Sequence, residues 1–266
     1  MLVLIRGGGD LATGVALRLI RSGLRVVVTE IARPLAVRRT VAFAEAVYAG
    51  EITVEGMTGQ RITDPTDSLR ILMVLGKQQV PVLVDPECSA AKTLHAAVIV
   101  DARMTKHAPE AIGYSPKLYI GLGPGFEAGV NCQAVIETRR SHMLGRVYWR
   151  GSPAPDTGQP EGNPQRVLRA PGNGEFIAHT EIGSHLESGQ VIAEVAGDLI
   201  TAPFSGVLRG LLHPGLMVTQ GLKVGDIDPR DDPLVCQFVS DKALSVGGGV
   251  LEAILHRPEL RTQLWT

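Results

Sequence analysis

Glycines and one acidic residue near the start of the chain have the spacing of a phosphate-binding loop. Gly7, Gly9 and Ala12 fit the pattern G-x-G-x-x-G/A, in which backbone N–H groups approach a phosphate and the small third residue lets helix and strand pack closely. Glu30 follows about 20 residues later, where an acid can accept hydrogen bonds from ribose hydroxyls. We predict a nucleotide site, with NAD, ATP and CTP left open, formed by Gly7, Gly8, Gly9, Asp10, Ala12, Gly14 and Glu30.

The elements around this loop must place it at the end of a strand. Residues 2–5 form an apolar run, residues 11–22 have a helical pattern, and residues 24–28 form a second apolar run. This order is the beginning of a nucleotide-binding βαβ unit. We predict that Asp10 caps the helix over residues 11–22, and a magnesium ion bridging Asp10 to a phosphate is the alternative.

Two further acids end other β-branched runs. Asp85 and Asp101 follow the runs at 81–84 and 97–100, and Lys106 comes shortly afterwards. Ligands of open α/β sheets bind outside the carboxyl ends of the strands, so we expect these acids to face the same crevice as the glycine loop. A carboxylate and a lysine in one cleft could transfer a proton or hold a metal–nucleotide complex. Turn and capping roles are the alternative.

A second glycine-rich loop follows the run at 118–120. Gly121, Gly123 and Gly125 flank a proline, and we predict that this loop makes a second backbone nest for phosphate. A simple turn after a strand is the alternative.

Basic and nucleophilic candidates lie elsewhere in the first half. Arg33, Arg38 and Arg39 follow the second strand and could hold a phosphate or carboxylate, or form a solvated helix face. His142 lies in a segment, 137–146, that we predict to be helical up to residue 145, where it would be an acid, a base or a surface residue. Cys88 could accept sulfur or selenium, although lone cysteines are usually inert.

The 266 residues are enough for two domains of different character. Residues 1–150 alternate β-branched runs with helical stretches, which predicts a Rossmann-like parallel sheet covered on both faces. Residues 151–165 are rich in proline and glycine and predict a linker. Residues 166–225 predict a small all-β domain, and residues 226–266 a C-terminal tail with a helix.

The second domain contains an internal repeat with an offset of 32 residues. Its glycine and apolar pattern resembles the barrel-sandwich of biotinyl and lipoyl carrier domains. In those carriers a lysine on the hairpin between the halves bears the cofactor, whereas the chain has no lysine between Lys117 and Lys223. We therefore predict a barrel-sandwich without an acceptor lysine, used for contact or for holding a molecule non-covalently.

Two features of the tail carry structural predictions. Ser240 and Asp241 are residue types that cap the N-terminus of a helix, and three consecutive glycines follow at residues 247–249. Each glycine inside a helix would lower its stability by about 1 kcal/mol. We predict a break there, with a new helix starting at or just after Gly249. The acidic run Asp226, Asp228, Asp231 and Asp232 lacks EF-hand spacing, and we predict a solvated turn and no metal site.

Composition excludes several classes of partner. A net charge of −1 gives no general attraction to nucleic acid or to an anionic membrane. We see no apolar run approaching the ~18 to 20 residues of a membrane span. Cys88, Cys132 and Cys236 have no CxxC spacing, so we predict reduced thiols and a cytoplasmic protein.

Long ungapped strings across the chain resemble one bacterial family, the selenium-dependent molybdenum hydroxylase system proteins. The resemblance rests on residues 7–14, 34–39, 121–126, 223–230, 240–243 and 247–253. It implies an accessory role in maturing or supplying a molybdenum hydroxylase, through selenium or the molybdenum cofactor, with that hydroxylase, other maturation proteins or a second copy as partners. One position departs from the pattern, because Ser141 stands where the resemblance predicts glycine.

Two other functions stay open from the sequence. An NAD-dependent oxidoreductase is supported by the glycine loop and Glu30, but the sequence has no well-defined set of catalytic residues for this reaction. A scaffold without a ligand is the other alternative. The sequence therefore does not decide whether the chain is an enzyme.

Overall fold

The computed structural model describes residues 1–158 and 162–264, and these divide into two compact units. Unit 1 comprises Met1–Pro34, Phe43–Thr157 and Val239–Thr266, and unit 2 comprises Leu35–Ala42 and Gly158–Phe238. The chain passes from unit 1 to unit 2 inside the predicted linker, of which residues 159–161 lie outside the described residues. Residues 265 and 266 of the predicted tail also lie outside them.

Unit 1 is an α/β unit. Its strands and helices are β1 (Leu2–Arg6), α1 (Asp10–Arg21), β2 (Arg25–Glu30), α2 (Ala46–Ala49), β3 (Glu51–Val54), β4 (Met57–Ile62), α3 (Ser68–Gly76), β5 (Val80–Val84), α4 (Ala90–Thr93), β6 (Val98–Asp101), β7 (Leu118–Leu122), β8 (Ala134–Ile136), β9 (Val147–Tyr148), α5 (Asp241–His256) and α6 (Pro258–Arg261).

The strands of unit 1 form one nine-stranded mixed sheet in the order β3-β4-β5-β2-β1-β6-β7-β8-β9. The strands from β4 to β8 in that order pair in parallel, whereas β3 and β9 pair antiparallel at the two edges. The hairpin between β3 and β4 turns at Glu55 and Gly56, which have φ angles of 47° and 83°. Positive φ at both central residues is the geometry that reverses a strand tightly. The central strands are buried on both faces, which explains their continuous β-branched runs.

Helices α1 and α5 pack closely because small residues line their contact. A Cβ atom added to Gly14 would lie 2.5 Å from Cβ of Ala243, and one added to Gly247 would lie 3.0 Å from the carbonyl oxygen of Gly14. The predicted break at the three glycines is therefore wrong, since α5 runs through them without interruption. Close packing stabilises the helix more than the glycines weaken it.

Unit 2 is built from short strands. They are β10 (Val167–Arg169), β11 (Gly174–Ala178), β12 (His185–Leu186), β13 (Val191–Val195), β14 (Asp198–Thr201), β15 (Gly206–Leu211), β16 (Met217–Val218) and β17 (Lys223–Asp228). They form two antiparallel sheets, β10-β17-β15-β12 and β14-β13-β11-β16.

The repeat of 32 residues is visible in the strands of unit 2. Strands β11, β12 and β13 begin 32 residues before β15, β16 and β17 respectively. Replacing each strand by its counterpart converts the order of one sheet into the order of the other. Each sheet therefore contains strands from both halves of the repeat.

The predicted fold class, a Rossmann-like parallel sheet followed by a small barrel-sandwich and a helical tail, is wrong. The large sheet is mixed, because strands that reverse direction close both of its edges. Residues 166–225 belong to two separate four-stranded sheets. The predicted tail is divided, since residues 226–238 belong to unit 2 and α5 packs on α1 in unit 1.

One stretch, Pro233–His256, is long and apolar enough to cross a membrane by length and composition alone. The expectation that no apolar run approaches this length overlooked it, because the stretch includes Asp241, Lys242 and Glu252. Its α5 portion buries Val246, Val250 and Ile254 completely, as a core helix of unit 1 does. A buried core helix passes the same test, so the stretch is weak evidence for a membrane span.

Candidate functional site

The glycine loop between β1 and α1 lies at the carboxyl edge of the parallel strands. Local structure explains two of its glycines, since Gly7 has a φ of +91°, which favours glycine, and a Cβ on Gly8 would lie 2.9 Å from the amide nitrogen of Ala44. A Cβ on Gly9 would meet no atom within 4 Å. Gly9 is therefore the position of the loop that faces open space.

Thr13 and the segment after residue 42 hold this loop in place. The Thr13 hydroxyl donates to the Gly9 carbonyl oxygen at 3.0 Å and accepts from the amide of Phe43 at 2.9 Å. The amide of Ala44 donates to the Gly8 carbonyl oxygen at 2.8 Å. Thr13 is fully buried, and sequence reasoning missed its role because its partner lies 30 residues away.

The N-terminus of α1 differs from the prediction. Gly9, not Asp10, is the N-cap, and glycine has no side chain that could accept a capping hydrogen bond. Asp10 is the first helical residue and places a carboxylate in the first turn, where it interacts favourably with the helix dipole. The first turn of a helix has amide groups without intrahelical acceptors, and these attract anions. Ala12 is buried, as the third small position of the motif requires.

Glu30 ends β2 and holds the backbone of the glycine loop. Its carboxylate accepts from the amide of Gly8 at 2.7 Å and from the amide of Ile31 at 2.8 Å. Burial raises the pKa of Glu30, and these two hydrogen bonds act in the opposite direction. Each carboxylate oxygen thus already accepts one backbone hydrogen bond, so a ribose would have to share or displace them.

Asp101 is the centre of a buried charged cluster at the same edge. Its carboxylate accepts two hydrogen bonds from Arg103 Nε and Nη2, at 2.9 and 2.7 Å, and one from the Tyr119 hydroxyl at 2.9 Å. Arg6 Nη1 lies 3.8 Å from Asp101 Oδ2. Burial, together with the charge of Asp101, raises the pKa of Tyr119. The hydroxyl therefore stays protonated and donates to the carboxylate.

Arg6 is 5% exposed and is the residue immediately before the glycine loop. Its Nη2 donates to the carbonyl oxygen of Pro86 at 3.1 Å. Among the described residues, Nε and Nη1 have no hydrogen-bond acceptor. Sequence reasoning missed Arg6 and Tyr119 because only the pairing of β1, β6 and β7 brings them to Asp101. It also overlooked Arg103, which lies only two residues after Asp101.

Asp85 performs the capping role that was the alternative to catalysis. Its carboxylate accepts from the amide and hydroxyl of Ser89 at 3.0 and 2.9 Å, and from the amide of Ala90 at 2.8 Å. Cys88 in the same turn is 3% exposed, and burial raises the pKa of its thiol to about 11. A protonated, buried thiol is a poor nucleophile, which disfavours its use as a sulfur or selenium acceptor.

The second glycine loop packs largely on its own surroundings. A Cβ on Gly121 would lie 2.1 Å from the Phe126 ring, and one on Gly125 would lie 2.3 Å from the carbonyl oxygen of His107. The amide of Gly125 already donates to the Thr105 carbonyl oxygen at 2.8 Å. Gly123 has a φ of +97°, a backbone conformation that favours glycine. Close packing and turn geometry account for these glycines, and a phosphate nest stays a prediction.

The other catalytic candidates do not join this cluster. Lys106 is paired with Asp156, with 2.7 Å between Nζ and Oδ2. His142 is exposed, and its carbonyl oxygen accepts from Arg146 Nε at 3.3 Å. The predicted helix over residues 137–146 is wrong, because this segment forms bends and turns up to Gly145. The buried Glu137 carboxylate organises it by accepting from backbone amides.

The three predicted anion-binding arginines are separated. Arg33 lies in unit 1, whereas Arg38 and Arg39 lie in unit 2. Arg38 Nη2 donates to the carbonyl oxygens of Val235 and Phe238, at 2.9 and 3.0 Å. Arg39 Nε donates to a further backbone carbonyl of unit 2 at 3.2 Å. These two guanidinium groups thus stabilise the backbone of their own unit.

The acidic run Asp226, Asp228, Asp231 and Asp232 was predicted to be a solvated turn. That prediction is wrong for Asp226 and Asp228. Asp226 and Asp228 lie on β17, buried, where Asp226 pairs with Arg166 and Arg209 and Asp228 pairs with Arg209 and Arg230. Pairing with arginine is what permits burial of these carboxylates. Among the described residues, no group of three or more His, Cys, Asp and Glu side chains is arranged to hold a metal ion.

Comparison with known proteins gives one strong match. The chain is 44% identical over 259 residues to a protein of Escherichia coli (strain K12) named "Uncharacterized protein YqeB", and the match covers 96% of this chain and 47% of that protein. The chain thus spans about half the length of the curated relative that it matches. No family model matches the chain.

Solved structures give only distant likenesses. An aspartoacylase family protein from Mesorhizobium loti is 11% identical, with 76% of this chain and 55% of that chain covered and a TM-score of 0.23. A succinylglutamate desuccinylase/aspartoacylase from Rhodobacter sphaeroides is 14% identical, with 85% of each chain covered and a TM-score of 0.27. Likenesses of this size support no conclusion about fold or function.

Proposed function

We propose that this chain is a cytoplasmic accessory factor of a molybdenum hydroxylase, and that unit 1 binds a nucleotide or nucleotide-like cofactor at the glycine loop. The ligand phosphate would lie at the N-terminus of α1, against the backbone of Gly9. Partners would be the hydroxylase itself or other proteins of its maturation.

The observation that supports a ligand here is the open position of Gly9. Local structure explains Gly7 and Gly8, whereas Gly9 borders open space at the N-terminus of a helix of 12 residues. A glycine in that place allows a ligand to approach the backbone without meeting a side chain. The amide groups of that helix N-terminus favour an anionic ligand.

The link to molybdenum hydroxylases has a different support. It rests on the strings at residues 7–14, 34–39, 121–126, 223–230, 240–243 and 247–253, which resemble the selenium-dependent molybdenum hydroxylase system proteins. Handling of selenium or of the molybdenum cofactor follows from the same resemblance. Co-purification of the tagged chain with a molybdenum hydroxylase from its own host tests this part of the proposal.

A thermal-shift panel tests the nucleotide site. The purified protein is heated with NAD, NADP, ATP, GTP and CTP, with and without magnesium. A ligand at about 100 times its Kd adds ~2.7 kcal/mol to stability, which raises Tm by roughly 5 to 10 °C for a chain of this size. A shift with a triphosphate supports the proposal, a shift with NAD alone favours the oxidoreductase, and no shift with any of them contradicts the nucleotide site.

Two glycine variants locate the site. Gly9→Val should abolish the ligand-induced shift and lower the Tm without ligand by no more than about 4 °C. The backbone there (φ −64°, ψ −179°) is allowed for valine and the added Cβ meets open space, whereas valine is a poorer N-cap than glycine. Gly76→Val is the matched control, since Gly76 also faces open space but lies at the end of α3. A Gly9→Val variant that keeps the shift would place the ligand elsewhere.

A further inference from the structure

A cavity lies in unit 1, at the opposite edge of the sheet from the glycine loop. Its volume is about 640 Å³, which is within the range of small-molecule sites. Residues 109–112, 114–116 and 129–133 line it, and these segments lead into the amino ends of β7 and β8. The glycine loop instead follows the carboxyl end of β1, which runs parallel to them. The two sites are therefore separate.

Three aromatic side chains, Tyr114, Tyr119 and Trp149, are among the residues that line the cavity, and neighbouring contacts hold their rings in place. The Arg257 guanidinium lies 5.2 Å from the centre of the Trp149 ring, and the His256 ring lies 4.6 Å from it. The Tyr114 hydroxyl donates to a backbone carbonyl at 3.0 Å, and the Tyr119 hydroxyl is bound to Asp101. Rings that are already held lose little freedom when a ligand stacks on them, which favours a planar ligand.

Arg257 places a positive charge beside these rings, since it is one of the residues that line the cavity. Its Nε is buried and has no hydrogen-bond partner among the described residues, so a ligand would have to meet the guanidinium through its other nitrogen atoms. A carboxylate there would pair with the positive charge. Glu110 is the one carboxylate among the lining residues, and it is exposed.

We propose that this cavity binds a small planar aromatic or heteroaromatic carboxylic acid. Its ring would pack against Trp149 and Tyr114, and its carboxylate would accept hydrogen bonds from Arg257. Ile112 and Val130 supply apolar contacts at the cavity wall. This inference does not depend on the nucleotide site, because no residue of the glycine loop lines the cavity.

Tryptophan fluorescence tests the proposal. The sequence has two tryptophans, so the full-length Trp265→Phe variant leaves Trp149 as the single indole reporter. We expect nicotinate and 4-hydroxybenzoate to change its fluorescence saturably with a Kd below about 1 mM. Their neutral amides should bind at least about tenfold more weakly. Calorimetric titration gives the same comparison without an optical probe. Absence of saturable binding, or equal binding of acid and amide, would overturn the proposal.

Two arginine variants identify the residue that reads the carboxylate. Arg257→Gln should weaken binding of the acids about tenfold and leave the affinity for the amides unchanged. Arg261→Gln, an exposed position in the next helix, is the matched control and should bind as the parent does. Unchanged acid binding in Arg257→Gln would refute the role of that residue. A Tm measured for each variant separates lost affinity from lost folding.

Discussion

Two neighbouring glycines of α5 are expected to respond in opposite ways to the same substitution. A Cβ added to Gly248 would meet no atom within 4 Å, whereas one added to Gly249 would lie 2.1 Å from the carbonyl oxygen of Gly145 and 2.9 Å from Cγ2 of Ile136. Both positions are inside the helix. They therefore share the gain in helix propensity and differ in the steric contact alone.

The magnitudes follow from those distances. Gly248→Ala should stabilise the protein by up to ~1 kcal/mol, because alanine replaces glycine inside a helix at no steric cost. Gly249→Ala has the same gain, but a backbone oxygen at 2.1 Å cannot rotate away as a flexible side chain would. Overpacking of this kind typically costs ~1 to 3 kcal/mol. Because the contact is with a backbone oxygen, we place the cost at the upper end of that range and expect a net loss of about 2 kcal/mol after the gain in helix propensity.

Differential scanning calorimetry and urea unfolding measure both variants against the parent. Each kcal/mol corresponds to about 2 to 4 °C in Tm for a chain of this size, so Gly248→Ala should raise Tm and Gly249→Ala should lower it. Equal shifts of the same sign would refute the close approach of α5 to the turn at Gly145. The comparison is internal, because the residues are adjacent and the mutation is identical.

Two further predictions concern thiols and acid stability. Burial raises the pKa of the Cys88 and Cys132 thiols to about 11 and also raises that of Cys236, so a thiol reagent at pH 8 should label none of them quickly until the protein is unfolded; rapid labelling of the native protein would contradict this. Hydrogen bonds from Arg230 above all lower the pKa of Asp228 from 3.8 to about 2, so its stabilisation is complete above pH 3.8 and is lost as the pH falls through 2. Asp228→Asn should lower the free energy of unfolding by about 1 to 2 kcal/mol at pH 7. This is less than the full pKa shift implies, because Arg230 is 69% exposed and solvent weakens the interaction. A variant that unfolds at the same urea concentration as the parent would contradict the role of this pair.

The uninterrupted helix α5 is a feature that could not be predicted from its own local sequence. Glycine propensity predicted a break at residues 247–249, and that estimate of local cost is sound for an isolated helix. The atoms that make glycine necessary belong to Gly14 and Gly145, far away in the chain. Nothing in the local pattern of α5 contains that information, because it depends on which helix and which turn pack against it.

The residues of the candidate site likewise fall into those that the sequence indicated and those that it did not. The sequence alone located the glycine loop, Glu30 and Asp101, because strand ends followed by glycine or acid are visible as local patterns. It could not pair Asp101 with Tyr119 and Arg6, since those contacts depend on the neighbours of β6 in the sheet. Likewise, nothing local indicated that Arg38 binds the carbonyl of Val235, almost 200 residues away.

The exchange of strands between the two sheets of unit 2 has a consequence for its origin. Each half of the repeat contributes two strands to each sheet, so a single half would leave unpaired strand edges in both. Two separate copies of such a half could satisfy each other, which makes a self-associating ancestral peptide, later joined head to tail, a natural source of this unit. A chain opened in the turn at Ala196 and Gly197 should accordingly form unit 2 only when both fragments are present.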